Sequence, residues 1–360
     1  MRMKKLMILA VAAIAMAACT KTYDKVETKD VNEIGFSTWN ETLTKASVEN
    51  TFDVNDNFKV WGEKLVSSTN TTVFNGVTVT KAASETETWN YSPKRYWDLS
   101  ATSYTFYGIA PAADGYTVDA HTGAVSASPT ITFTGKDSDI LVAQQKVINK
   151  TAGSGNFDSF NKVPMVFNHV AALVDVKVKI ASGLATAGAH VQVSAIELQN
   201  ISTKGTFTVA GGYTTAPVAS WTPSTASAET TDAFDSGEGF VIASSRLNTD
   251  LDASGAILIE KLVVMPQDFR TSGDFIQKLD IDYNITQTGG SANNFTPDAF
   301  ALTTFDNTDN TSNTGDTNVT GWAPGYHYTY VVTIDAHTIE FTASVNPWSV
   351  EGAAYHYLIN

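Results

Sequence analysis

Cysteine is almost absent from this chain: its 360 residues include one, Cys19. A single cysteine excludes an intramolecular disulfide and any zinc or iron–sulfur site built on several cysteines. Long apolar stretches are scarce too. The run Leu6–Ala18 is shorter than the roughly 20 residues that a membrane-spanning helix needs. The fold must therefore rest on a sizeable hydrophobic core, and the chain is long enough to form one.

Charge is sparse and mostly negative. Charged residues make up 17% of the chain, and acidic residues outnumber basic ones to give a net charge of −14. The sequence contains no basic cluster long enough to bind a polyanion. An acidic surface disfavours nucleic acid and favours solubility outside the cell. The composition therefore predicts no nucleic-acid partner.

Catalytic signatures are missing as well. The sequence has no G-x-S-x-G, no H-E-x-x-H and no glycine-rich phosphate loop ahead of a helix. None of the six histidines lies at metal-ligand spacing with another. His169 fits either a general base or a histidine at a strand end, and the lack of a neighbouring catalytic motif favours the strand end. We therefore predict no enzyme activity, no catalytic residue, no metal and no cofactor.

Two further features admit a ligand but favour a simpler interpretation. The loop Asp306–Asn318 offers oxygen ligands for calcium. Counted from Asp309, however, the sixth residue is Thr314, where a calcium-binding loop has glycine, so a solvated loop is favoured. The seven tryptophans could line a glycan site, but their scatter along the chain favours positions in the core.

The amino-terminal residues have the three parts of a secretory signal peptide. Arg2, Lys4 and Lys5 precede the apolar run Leu6–Ala18, whose last residues are small. The tetrapeptide Met16-Ala17-Ala18-Cys19 resembles a bacterial lipobox. That resemblance implies cleavage before Cys19 and lipidation of its thiol, so that acyl chains anchor the protein in a membrane. Residues 1–18 are therefore predicted to be the signal peptide and residues 19–32 a lipidated tether.

The rest of the chain alternates between apolar and polar residues with the period of a β-strand. Thr, Val and aromatic residues, which suit a pleated sheet, are frequent, and no helical stripe exceeds two turns. Asn75-Gly76 within Val73–Val79 predicts a hairpin, because this pair accepts a type I′ turn. Strands with turn signals at this spacing predict β-sandwiches. The clearest alternating segments are Val174–Ile180, Leu279–Ile285, Tyr326–Ile334 and Ile339–Val345.

The length of the chain suggests two domains. The segment Thr151–Asn156 is rich in small and polar residues, and we place the boundary close after it. The prediction is an amino-terminal β-sandwich over residues 33–160 and a carboxyl-terminal β-sandwich over residues 161–360.

Several blocks along the chain, taken in order, resemble the fimbrillin family of type V pili and its Mfa-like branch. They follow the lipobox and span nearly the whole mature chain. The blocks are WNYSPKRYW at Trp89–Trp97, DILVA at Asp139–Ala143, VFNHV at Val166–Val170, LVVMPQDF at Leu262–Phe269, WAPGYHYTYVVTI at Trp322–Ile334 and IEFTASVNPW at Ile339–Trp348.

The resemblance implies an all-β fold of two tandem transthyretin-like, that is Ig-like, β-sandwich domains. It also implies export to the outer membrane as a lipoprotein, followed by proteolytic removal of the first strand. A strand of another subunit then fills the exposed groove, and the polymer grows into a fimbrium for adhesion. The first-strand candidate is Glu33–Ser37, with Ile34 and Phe36 on one face.

The cleavage and donor positions follow from the same resemblance. The resemblance implies a cut after arginine, but no arginine lies between Arg2 and Arg95, so Lys45 is the expected site and Ala46 the new amino terminus. The alternative is that Lys45 is a solvated loop lysine. Near the end of the sequence, Tyr355, Tyr357 and Ile359 alternate with His356 and Leu358. These three residues form the candidate donor strand, although the segment could instead close its own domain.

Two functions fit these features. The first is a pilus subunit or pilus-associated adhesin, whose partners are other subunits through strand exchange, the outer membrane through Cys19, and a surface ligand. The alternative is a permanently anchored surface lipoprotein that binds glycan or protein ligands. Both place the protein at the cell surface. The amino-terminal residue of the mature protein distinguishes them, because acylated Cys19 means a retained anchor and Ala46 means a processed subunit.

Overall fold

β-Strands dominate the structure, a computed structural model that describes residues 33–39, 52, 56–82, 89–134, 139–153, 155–157, 162–224, 246–273, 275–307, 317–335 and 339–347. The helical elements in this part of the chain are short: α1 (Ser182–Thr186) and a 3-10 turn at Leu302–Thr304. The all-β prediction is confirmed.

The strands in chain order are β1 (Phe36–Trp39), β2 (Asn57–Val66), β3 (Thr69–Lys81), β4 (Trp89–Asn90), β5 (Ser103–Ala110), β6 (Thr117–Val118), β7 (Val125–Ala127), β8 (Ile131–Thr132), β9 (Leu141–Ala143), β10 (Lys146–Asn149), β11 (Val163–His169), β12 (Ala172–Ile180), β13 (His190–Gln199), β14 (Lys204–Val209), β15 (Ala219–Pro223), β16 (Ala256–Val264), β17 (Gln267–Asp268), β18 (Lys278–Thr286), β19 (Ala292–Phe295), β20 (Phe300–Ala301), β21 (Asp306–Asn307), β22 (Thr317–Asn318), β23 (Gly321–Trp322), β24 (Tyr326–Ile334) and β25 (Ile339–Pro347).

The first sheet has eight strands in the order β1-β11-β9-β5-β2-β3-β4, with β10 paired to β5. It curves over its own core, because Phe36 of β1 and Phe167 of β11 both contact Phe58 of β2. Rings dominate this core, and aromatic side chains remove large apolar areas from water. The β1–β11 end of the sheet thereby covers β2, β3 and β5.

The predicted hairpin at Asn75-Gly76 is wrong. β3 runs through both residues without turning, and Gly76, at φ +67°, lies where the β2–β3 register shifts. The pair therefore forms a bulge, which accepts positive φ as a turn does. The turn between β2 and β3 lies instead at Ser67-Ser68, whose φ angles of 47° and 68° have the signs of a type I′ turn.

A second group of strands forms two facing sheets. One has the order β16-β12-β24-β25, and the other has the order β13-β18-β19 with β20 paired to β18. A single cluster fills the space between them, with Val176 of β12, Tyr330 of β24, Val193 of β13 and Ile281 of β18 among its buried members. Alternate residues of β12, β24, β13 and β18 point into this cluster, so this part of the chain is a β-sandwich.

A third sheet joins strands from distant parts of the sequence. Its order is β15-β14-β7-β6, with β8 paired to β14, so residues 117–132 pair with residues 204–223. In addition, β11 belongs to the first sheet, whereas β12 begins after only Val170 and Ala171 and belongs to the second group. Strand pairing thus crosses the predicted boundary between residues 160 and 161. The division into two tandem domains stays a prediction.

Candidate functional site

The first strand lies at the end of the eight-stranded sheet. β1 pairs with β11 in parallel, with Phe36 opposite Val163 and Trp39 opposite Val166. The backbone N–H of Val163 donates to the carbonyl of Gly35 at 2.7 Å. Parallel pairing is slightly weaker per residue than antiparallel pairing. β1 is therefore attached to the rest of its sheet through one parallel ladder.

Phe36 is the centre of an aromatic cage. Its side chain is 1% exposed. The ring contacts four others edge-on, with centroid distances from 5.5 to 6.0 Å: Phe58, Phe74, Tyr91 and Phe106. Edge-to-face contacts at this range are favourable because a positive ring edge meets a negative face. A strand that presents an aromatic residue at this position therefore gains both burial and specific ring contacts.

Ile34 occupies a second site two residues earlier, on the same face, and is completely buried. A loop that we name the strap, residues 91–96, holds its backbone. The N–H of Ile34 donates to the carbonyl of Arg95 at 2.9 Å, and the Tyr91 hydroxyl donates to the carbonyl of Ile34 at 2.7 Å. Both polar backbone groups of a fully buried residue are thereby satisfied.

The strap also binds the start of the first strand through side chains. Lys94 Nζ lies 2.5 Å from a carboxylate oxygen of Glu33 and 4.9 Å from the centre of the Tyr91 ring. The Tyr91 hydroxyl accepts a hydrogen bond from the N–H of Arg95 at 3.2 Å. Burial raises the pKa of Tyr91 to about 12, so the hydroxyl stays protonated and can donate.

We name the cleft that Ile34 and Phe36 fill the groove. β11 forms one hydrogen-bonding wall, the strap forms the other, and rings of β2, β3 and β5 form the floor. Burial of an aliphatic or aromatic side chain contributes about 1.5–3 kcal/mol, so these two residues hold the strand with about 3–6 kcal/mol. The groove can thus bind a short extended segment by main-chain pairing and two side-chain sites.

The structure describes only part of the predicted site. Ile34 and Phe36 share the buried face that the alternation indicates. Lipidation at Cys19, processing at Lys45 and Ala46, and the donor residues Tyr355, Tyr357 and Ile359 all lie outside the described residues. The roles of all these residues stay predictions.

Sequence reasoning missed the strap. Tyr91, Lys94 and Arg95 belong to the block WNYSPKRYW, and no pattern in that block assigns them a structural role. An aromatic residue followed by Ser-Pro and two basic residues gives no sign that a distant strand lies against it. The contacts join residues about 60 positions apart in the sequence, for example Lys94 with Glu33.

Histidines in the described residues pair with carboxylates instead of with one another. His169 ends β11 and its Nδ1 lies 2.8 Å from Asp139 Oδ2; His190 and His327 pair with Asp250 and Asp175. His121 Nδ1 lies 2.5 Å from Glu63, and this hydrogen bond raises the pKa of His121. His169 therefore stands at a strand end, as favoured, although with a carboxylate partner.

Among the described residues no group of three or more His, Cys, Asp or Glu side chains is arranged to hold a metal ion. The ends of the loop considered for calcium, Asp306–Asn307 and Thr317–Asn318, pair as β21 and β22. In the same part of the chain, no helix has the length and apolar character needed to cross a membrane.

The tryptophans whose side chains are described lie in or against the core. Trp61, Trp89, Trp97 and Trp322 are buried. Trp221 is half-buried, and its Nε1 donates to the carbonyl of Val170 at 2.6 Å. Among the described residues, therefore, no tryptophan offers the exposed platform that a glycan-binding surface uses.

Comparison with known proteins gives the family. The family model described as fimbrillin-like matches residues 44–348. Among solved structures, a fimbrial protein from Bacteroides vulgatus ATCC 8482 is 16% identical, with a TM-score of 0.48 over 88% of this chain and 99% of that chain. A protein from Bacteroides uniformis ATCC 8492, provisionally described as a cell adhesion protein, is 17% identical, with a TM-score of 0.44 over 88% and 99% of the two chains.

No protein with a curated description matches the chain significantly. The family model, in contrast, covers most of the sequence, including the strap and all strands from β2 to β25. The chain belongs to the fimbrillin-like family.

Proposed function

We propose that the protein is a fimbrial subunit or fimbria-associated adhesin that polymerises by exchange of its first strand. The observation that carries this proposal is the position of β1. It lies at the end of its sheet, pairs in parallel with β11, and fills the groove with Ile34 and Phe36. An end strand can leave while the inner ladders of the sheet remain, and it leaves unpaired backbone groups beside an apolar cleft.

Cleavage after Lys45 would convert β1 from a covalent part of the fold into a bound peptide. Trp39, the last residue of β1, precedes Lys45 by a short stretch of sequence. After the cut, the segment 19–45 is held by the groove contacts worth about 3–6 kcal/mol and by the strap. An incoming strand of similar pattern regains these contacts, so the exchange is close to balanced before any further contact between subunits is counted.

Lipidation of Cys19 fits the same sequence of events. Acyl chains would hold the precursor at the outer membrane until cleavage. Because Cys19, the tether and β1 lie on one segment, cleavage after Lys45 would remove the anchor and open the groove together. The lipid would then deliver the subunit and would not hold the finished fimbrium.

Limited trypsin digestion tests this proposal. We expect cleavage after Lys45, identified by mass spectrometry, followed by a ladder of oligomers that persists on gels without boiling. The Lys45→Gln variant should stay uncut at this site and monomeric. A cut product that remains monomeric at high concentration would contradict polymerisation by strand exchange. Acylated Cys19 at the amino terminus of the protein taken from the cell surface would favour the permanently anchored alternative.

A further inference from the structure

We propose that the strand which replaces β1 runs in the opposite direction to β1. The occupant considered is the candidate donor segment Tyr355–Ile359 of a second copy, which the family resemblance already implies. This inference rests on the proposed strand exchange and adds the direction and register of the incoming strand. In this register Ile359 takes the place of Ile34, and Tyr357 takes the place of Phe36. The new strand is therefore antiparallel to β11.

The groove has a direction because its two sites differ. The site of Ile34 completely encloses an aliphatic side chain and is closed by the strap. The site of Phe36 is a cage of four rings. The next position on this face, Thr38, is only half-buried. Along β1, therefore, the groove accepts an aliphatic residue, then an aromatic one, then a residue with a polar end.

The candidate donor matches this order only when it is followed backwards. From Ile359 towards Tyr355, its alternate residues are aliphatic, aromatic and aromatic with a polar end. In the direction of β1, the order places a tyrosine in the aliphatic site, where a larger ring would overpack an enclosed position. The other face would place either the aliphatic Leu358 or the polar imidazole of His356 in the ring cage.

The walls of the groove allow this reversal. The N–H of Val163 points towards β1. Because successive residues of a strand point their backbone groups to opposite sides, Pro164, which has no N–H, faces away from the groove. On the other wall, the Tyr91 hydroxyl both donates to Ile34 and accepts from Arg95. Because a hydroxyl can both donate and accept, it can bond either a carbonyl or an N–H of the incoming strand, and so a strand of either direction.

Reversal of the strand also affects which state is more stable, the one before or the one after the exchange. β1 forms a parallel ladder with β11, whereas the incoming strand would form an antiparallel ladder, which is more stable per residue. The side-chain sites are filled in both states. On the strap wall, the single antiparallel bridge between Glu33 and Tyr96 would become parallel. Because the β1–β11 ladder pairs four residues and the strap bridge pairs one, the net change in ladder type favours the exchanged state.

Disulfide trapping in the full chain cleaved after Lys45 tests the direction. Cys19→Ser removes the native thiol, and the two acceptor variants are Tyr96→Cys at the strap and Val166→Cys opposite Trp39; Tyr96 is 49% exposed, and Val166 is half-buried. The probes are peptides of sequence AAYHYLIN that carry an added cysteine at one end. We expect the carboxyl-terminal cysteine to trap Tyr96→Cys at least tenfold faster than the amino-terminal one, and the reverse preference at Val166→Cys.

A peptide with the sequence of Glu33–Trp39 serves as the control. With an amino-terminal cysteine it should trap Tyr96→Cys, because it binds in the direction of β1. If the control binds and the tail peptide shows the same end preference as the control, or does not bind, the inference is wrong while strand exchange stands. If neither peptide enters the cleaved protein at either acceptor position, the proposed function fails and the inference fails with it.

Discussion

Phe36→Ala measures how much the first strand contributes to the stability of its sheet. The side chain is 1% exposed and touches four rings. Truncation loses about 2–3 kcal/mol of burial. The loss of ring contacts and the cavity that remains raise the total to about 4 kcal/mol, within the range of about 3–5 kcal/mol typical of buried Phe→Ala changes. The free energy of unfolding of a typical domain is about 5–15 kcal/mol, so the variant should still fold but with a much smaller free energy of unfolding.

Urea unfolding of the uncut protein, followed by the fluorescence of the buried tryptophans, provides the assay. Trp89 and Trp97 lie in the same core cluster as Phe36, so they report on this region. The matched control is Ser37→Ala on the same strand, whose side chain lies on the opposite face and should change the free energy of unfolding by less than about 0.5 kcal/mol. A loss below about 1 kcal/mol for Phe36→Ala would refute the reasoning, because the strand would then be only loosely attached to its groove.

Three other changes test separate contacts. Tyr91→Phe removes the donor to the carbonyl of Ile34 and should cost about 1–3 kcal/mol in urea unfolding, with faster loss of β1 after cleavage; an unchanged rate would mean that the strap does not hold the strand. Gly205→Ala would place a Cβ 2.4 Å from Met265 Sδ and 2.7 Å from the carbonyl of Thr222, so the midpoint of thermal unfolding should fall by several degrees. The raised pKa of His121 means that its pair with Glu63 stabilises the fold fully below about pH 6.5 and loses this contribution as the pH rises through the folded-state value; Glu63→Gln should remove that part of the pH dependence.

The alternation of side chains predicted the strands well. β12, β18 and β24 lie where apolar residues recur at every second position, because one face of each of these strands is buried. β25 also forms where the sequence alternates. The same pattern placed Ile34 and Phe36 on one buried face. This signal is local, so a single strand can be identified from its own residues.

The location of turns was less predictable. Asn75-Gly76 tolerates positive φ, but a bulge uses the same freedom, and only the pairing of β3 with β2 decides between them. The turn formed at Ser67-Ser68, two residues with a weaker preference for this conformation. Tertiary pairing therefore overrode the local preference.

Contacts between distant segments were beyond the reach of the sequence patterns. The pairing of β7 and β8 with β14 joins residues far apart in the chain. The residues of these strands show no pattern that identifies the partner strand. The strap and Ile34 present the same difficulty. A strand pattern specifies which face is buried, but it does not specify the neighbour against which that face packs.

The proposed exchange of β1 would leave the other strands of the acceptor in place. β1 lies at one end of its sheet, so its departure would break the β1–β11 ladder and leave the ladders of β11, β9, β5, β2 and β3 connected. The floor of the groove belongs to those remaining strands, and the strap is anchored independently where Arg95 Nε donates to the carbonyl of Val73 on β3. Release of β1 would therefore expose an organised site, and an incoming strand that fills the two side-chain positions would regain the free energy lost there.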